Sequence, residues 1–299
     1  MTSIANFLLL LASLAPSGHP LAAEGKTSLT NPAVKYTLPD EQAVVLQRGP
    51  VTAVVVDNSE VDTADVPGHK RRYNGLAVLK HERQPRNLFV PSYAGLNYEH
   101  IHDGVTAHIE REKFEPREFP MQLRVIDEHT VELYQAPTPI HQLESCGRYT
   151  ILPDGTIEYT FECIPHAESF ANGYIGLFWA SYINAPEDKA IHFQGRRVDS
   201  DGPGKWIRAV TPQHGVQSTH PPAGMLPELK HDDDFPLTLV FNRSGYVYTQ
   251  PWYYGVSGEM AYAQMFRQRD GIWLAQSPSG GGNGNPAWDF QWFIPDYKV

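Results

Sequence analysis

The 25 prolines and 24 glycines of this chain fall so often between its apolar runs that no segment sustains the 3.6-residue period of an amphipathic helix. What remains between these breakers is alternation. After Pro153-Asp154-Gly155, residues Ile157, Tyr159, Phe161 and Cys163 take one side and Thr156, Glu158, Thr160 and Glu162 the other. A period of two marks an antiparallel strand with one face in the core and one in water. The tripeptide ahead of it is a turn for physical reasons: Pro fixes φ, Asp bonds nearby backbone, and Gly tolerates positive φ.

The same reading places two β-rich runs in Ala43 to Asp57, split by a Gly-Pro turn, and further strands along the chain. These run Asn87 to Tyr93, Val105 to Glu110, Met121 to Ile126, Thr130 to Gln135 and Tyr174 to Ser181. Later ones are Trp206 to Val210, Leu237 to Phe241, Tyr246 to Thr249, Tyr262 to Phe266, Gly271 to Gln276 and Trp288 to Ile294. The predicted fold class is all-β, a large antiparallel β-sandwich forming one domain over residues 24–299. The chain shows no internal repeat, which argues against a propeller. Thr211 to Asp234 and Ser277 to Pro286 are long loops by content, the kind that carry function.

Charge narrows the partners. With 34 acidic and 24 basic side chains the net charge is -10, and no basic run exists to neutralise phosphates or hold an anionic membrane. An aromatic content of 11% against 19% charged residues is the reverse of a disordered acidic chain. The apolar run Phe7 to Ala15, "FLLLLASLA", is short of the about 20 residues that span a bilayer. Followed by "PSGHPLAAEG", it reads as a secretory signal over residues 1–23, which predicts a secreted or periplasmic protein. "MTSIAN" lacks Lys and Arg, so an apolar N-terminus of an unexported chain is the alternative. Cys146 and Cys163 sit at the outer ends of the hairpin, either bridged or as two buried thiols.

The densest polar cluster is "GLNYEHIHDGVTAHIE", in which His100 and His102 share a face of an extended segment. Such a pair suits a transition metal, a sugar or acid–base contact, or an ordinary surface. A cupin-like metal site needs a Glu soon after the second His, and here the first is Glu110. His166, just beyond a strand, is a candidate acid or base. His192 with Arg196 suits a carboxylate or a developing oxyanion, and a solvated strand explains the same letters. Trp252, Tyr253, Tyr254 and Trp288 exceed what packing requires, and flat rings beside Asp289 and Arg196 suit a polar ligand with apolar faces, as a sugar has. The sequence carries no nucleotide fingerprint, G-x-S-x-G elbow or H-E-x-x-H motif, and no cofactor is expected.

Two stretches, Met121 to Tyr174 and "NPAWDFQWFIPDY" near the C-terminus, resemble the β-supersandwich proteins related to galactose mutarotase. That resemblance implies a sugar gripped on a concave sheet face. It aligns His100 or His102 with the early sugar-contacting histidine and His166 with the central acid-type histidine. The epimerase's C-terminal Glu has no match, with Asp289 the nearest acid. The expectation is therefore an exported carbohydrate-active protein working by histidine-assisted proton transfer as a lyase, epimerase or hydrolase. The alternative is a non-catalytic carbohydrate-binding or structural β-protein. A histidine cluster at a pocket floor points to the first, an aromatic shelf with dispersed histidines to the second.

Overall fold

The computed structural model describes residues 27–106, 113–224, 228–235, 241–278 and 284–299. The signal segment read at residues 1–23 lies outside them, as do residues 107–110 and 237–240 of two expected strands. The first strands are β1 (Ala43–Arg48), β2 (Val51–Val56), β3 (Gly75–His81) and β4 (Asn97–His102). One helical turn, α1 (Glu115–Glu118), precedes β5 (Met121–Asp127), β6 (Thr130–Gln135), β7 (Leu143–Ile151) and β8 (Ile157–Pro165). Then come β9 (Tyr174–Ala180), β10 (Ile191–Arg197), β11 (Lys205–Ala209) and β12 (Thr219–His220). The chain ends in β13 (Tyr246–Ser257), β14 (Met260–Met265), β15 (Trp273–Ser277) and β16 (Ala287–Pro295). Asn87 to Tyr93, expected as a strand, contributes only an isolated bridge at Phe89 to Ile183.

The protein is all-β, and its strands pair antiparallel in four sheets. Their orders are β1-β2-β3, β5-β6-β7-β8, β12-β15-β16-β9-β4 and β11-β10-β13-β14. The sheets are arranged like the blades of a four-bladed propeller, which departs from the two-layer sandwich expected from the sequence. The missing repeat has a structural reason. The sheets hold three, four, five and four strands, and only the first two are simple meanders. In the five-stranded sheet, β4 and β9 join strands from the end of the chain, so no sequence module recurs.

One apolar cluster draws on all four sheets, from Leu46 and Val55 through Leu123 and Tyr149 to Leu177, Phe193, Tyr253 and Phe290. Trp179 sits at its centre, stacked between Phe290 at 5.0 Å and Tyr98 at 5.2 Å. Its indole N–H donates to the Tyr159 hydroxyl at 3.0 Å, so a buried donor is satisfied across two sheets. Gly155, at φ 84°, closes the hairpin read from the sequence.

Cross-strand register settles the cysteines. Cys146 is opposite Glu162 and Cys163 opposite Ser145, so the two thiols stand on opposite faces of the β7–β8 pair. They are free thiols, and burial pushes both up to about 12.

Candidate functional site

The sheet β11-β10-β13-β14 buries one face and turns the other to solvent. On β10, Ile191, Phe193 and Gly195 are buried while His192, Gln194 and Arg196 point outward. On β11, Ile207 and Ala209 are buried and Trp206 and Arg208 exposed. Trp252, Tyr254 and Val256 of β13 and Ala261, Ala263 and Met265 of β14 complete the outer face. Register aligns them in rows: His192 lies between Arg208 and Tyr254, Tyr254 faces Ala263, and Trp252 faces Met265.

These rows assemble an aromatic shelf. His192 stacks on Tyr254 with centroids 4.9 Å apart and planes 15° from parallel. Trp252 continues the layer at 6.2 Å and 25° from Tyr254. Trp206 meets both edge-on, at 5.4 Å from Trp252 and 5.8 Å from Tyr254, and remains 53% exposed. A bulge makes this possible. Between Phe193 and Gly195 on β10, the partner strand runs from Tyr253 to Tyr248, and the extra residues include Pro251. Proline has no N–H for the ladder, so the strand loops out there and Trp252 is carried onto the outer face. Phe266 N–H donates to the Pro251 carbonyl at 2.7 Å and fixes the loop.

Polar groups rim the rings. Arg208 holds Asp188 through two bonds, Nη2 to Oδ1 at 2.7 Å and Nε to Oδ2 at 3.2 Å. His192 Nε2 stands 3.7 Å from Asp188 Oδ2, too far for a hydrogen bond. Arg196 donates to the Ser200 carbonyl and lies 3.9 Å from Asp201, so it braces the β10–β11 turn at the end of the same face. Beyond Tyr254, the alanines of β14 keep the floor low. An exposed ring layer with hydrogen-bonding groups at its margin is chemically matched to a flat molecule that is apolar on its faces and polar at its edge.

Of the residues singled out in the sequence, His192, Arg196, Trp252 and Tyr254 come together on this sheet. Tyr253 lies on the same strand but faces the core, fully buried, and the others lie elsewhere. His100 and His102 are 2% exposed on β4, where Ile101 turns to the central core and the two rings turn to a second aromatic cluster. His100 packs on Phe178 and Phe114, and His102 among Phe235, Phe241 and Phe293, its ring lying on Gly176. His100 Nε2 is 3.1 Å from Glu99 Oε1 without the alignment of a hydrogen bond, and neither nitrogen of His102 has a partner among the described residues. Burial pushes both imidazoles below their ordinary value, His102 far below. Both are neutral and closed to solvent.

His166 lies just past the end of β8, away from this sheet, its Nε2 2.8 Å from Glu144, whose second oxygen accepts from Tyr134 at 2.6 Å. Trp288 is fully buried, its indole N–H donating to the Lys189 carbonyl at 3.1 Å and its ring against Gly255. It packs the core under the shelf and is no part of the exposed face. Asp289 is likewise buried, accepting the Ser181 N–H at 2.8 Å, and burial pushes its carboxyl well above the carboxylate range.

Trp206, Arg208 and Asp188 belong to the shelf and went unread in the sequence as site residues. The alternation of Lys205 to Ala209 was the available signal, once paired to His192. A buried knot at Glu99 also escaped notice: its carboxylate accepts from Tyr182 at 2.6 Å and Asn97 at 2.9 Å, with Arg117 at 3.4 Å. Burial would raise this carboxyl, yet the Arg117 charge and the Tyr182 hydrogen bond bring it down to about 2. The knot ties α1 to β4. Among the described residues no group of three or more His, Cys, Asp or Glu is placed to hold a metal, and no helix is long and apolar enough to cross a membrane. Comparisons with protein-family models, curated proteins and solved structures find no match for this chain.

Proposed function

We propose that this is an exported carbohydrate-binding protein that grips its ligand on the shelf of Trp206, Trp252, Tyr254 and His192. The observation that carries the reading is the exposed ring layer itself. A large aromatic held at 53% exposure beside a second tryptophan costs solvation that a monomeric surface has no reason to bear, and contiguous patches of this kind mark binding faces. Sugar rings present C–H faces for the indoles and hydroxyls for Gln194, Arg208 and Asp188. The resemblance to galactose mutarotase-like proteins favours the same grip, a sugar on a sheet face. Cleavage after Ala23 would leave intact the bonds that Thr27 makes to Glu162, consistent with export.

Binding is favoured over proton transfer by the histidines. Of the four singled out, His192 alone is at the shelf, and the carboxylate nearest it is engaged by Arg208. His100 and His102 are sealed in, and His166 lies past the end of β8, away from the shelf. The test is a screen of purified mature protein against neutral and uronic-acid oligosaccharides, with product formation followed in the same wells. Binding without turnover supports the reading. Turnover replaces it with an enzyme, and silence across the panel removes the carbohydrate ligand.

A further inference from the structure

Away from the shelf, a cleft of about 240 Å³ opens where β3 and the loop after it meet the loop at Val66 and the segment at Asn184. Its walls are apolar and stiff, made by Val66 and Val78 with Pro67, Pro85 and Pro91. Proline fixes φ, so these walls need little ordering when something enters. Asn87 clamps the loop: its Oδ1 accepts from Leu79 and Phe89 N–H groups and its Nδ2 donates to the Ala77 carbonyl. Two cations enter this preformed space. Lys80 projects from β3 and makes no ion pair among the described residues. Arg86 spends Nη2 on the Ala185 carbonyl and Ser257 hydroxyl, both at 3.4 Å, which leaves its other nitrogens for a ligand. Asp65 is the opposing charge in the lining, which leaves one net positive charge among the lining residues, and Glu187 outside it is close enough to Arg86 to interact with its charge.

We infer that this cleft is a second binding site, for a small carboxylate with a compact carbon skeleton. One net positive charge matches a monoanion better than a phosphate dianion, and a forked guanidinium beside an ammonium matches a carboxylate. The valine and proline walls suit carbon atoms, which a bare inorganic ion lacks. The volume lies below the about 300–1,000 Å³ of drug-sized pockets, which limits the ligand to roughly a monosaccharide or smaller. The inference stands apart from the shelf and does not depend on it.

Calorimetric titration with D-glucuronate, lactate, D-glucose and inorganic phosphate tests it, with sodium chloride matching ionic strength. At least one of the two carboxylates is expected to bind wild type and Trp206→Ala alike, more tightly than phosphate, while glucose gives no heat with Trp206→Ala, in which the shelf is disabled. Lys80→Met and Arg86→Met each weaken that binding roughly tenfold, as loss of a charge-assisted bond does. Both side chains reach solvent, so the variants are expected to keep the wild-type melting temperature. Silence from both carboxylates, preference for phosphate, equal binding of glucose by Trp206→Ala, or binding that survives the double variant each overturns the assignment. Loss in Trp206→Ala alone moves the ligand to the shelf and overturns it too.

Discussion

His192 lies flat on Tyr254 because the two are directly opposed across the β10–β13 pair, two residues before the bulge that carries Trp252 outward. The stack fixes the tyrosine ring at the height of the indoles, so four side chains from three strands present one surface. Trp206 is the most exposed member, and its removal is expected to act on binding alone. Trp206→Ala should weaken glycan binding by about tenfold, equivalent to about 1.4 kcal/mol. Its unfolding free energy should stay within about 0.5 kcal/mol of wild type, as for other surface changes. Paired calorimetry and urea unfolding check both halves.

Gly255 is required by the ring beneath it. A Cβ at this position would meet the Trp288 ring at 2.3 Å, and neither the buried indole nor the strand has room to yield. Gly255→Ala should cost about 1–3 kcal/mol in urea unfolding, the range for overpacked cores. Since Gly255 separates Tyr254 from Val256, the shelf should also lose affinity. An unchanged midpoint would show that the core is looser than described.

Buried neutral histidines make the fold acid-sensitive. Burial holds His220 down to about 3 against 6.5 for a free imidazole, and His100 and His102 shift the same way. Between those values the unfolded chain binds a proton that the folded chain does not, so stability falls as pH drops below 6.5. The slope for one such histidine approaches about 1.4 kcal/mol per pH unit. The lowered Glu99 carboxyl contributes only from 4.5 downward, while the raised Asp289 carboxyl holds its proton in the folded chain and offsets part of the loss between pH 6.5 and 5, so the comparison with His220→Gln isolates the histidine. Urea unfolding across that window should show the loss, with a shallower slope in His220→Gln. Equal slopes in wild type and His220→Gln would mean that the His220 ring reaches water.

Opposite faces keep Cys146 and Cys163 apart. Thiol titration of the denatured, unreduced protein should find two reactive groups per chain, and reductant should leave the melting temperature unchanged. One bridge per chain would require a different β7–β8 register.

Strand positions were legible where one face is wet and also in the apolar runs of β9 and β15, which are dry on both faces, whereas the roles of side chains on dry strands were not. The hairpin at Pro153 to Gly155 reads directly because β8 alternates Ile, Tyr, Phe and Cys with Thr and Glu. β4, with all six residues of "NYEHIH" buried, presents polar letters without alternation and so reads as a chemical site. The same cause misplaced Trp288 and Asp289, since β16 is buried on both faces for most of its length. Trp252 and Tyr254 were legible as aromatic density and His192 as a partner of Arg196 for a carboxylate or oxyanion, but their convergence with Trp206 depends on register across three strands, which local pattern does not encode. The propeller-like arrangement was hidden by the inequality of its sheets.

Tryptophan fluorescence titrated with neutral oligosaccharides, on wild type and on Trp206→Ala/Trp252→Ala, tests the shelf most directly. A saturable change in wild type that is lost in the double variant, with both proteins folded to the same melting temperature, is the expected result. Saturable binding that persists in the double variant, or no binding of any glycan to wild type, would contradict it.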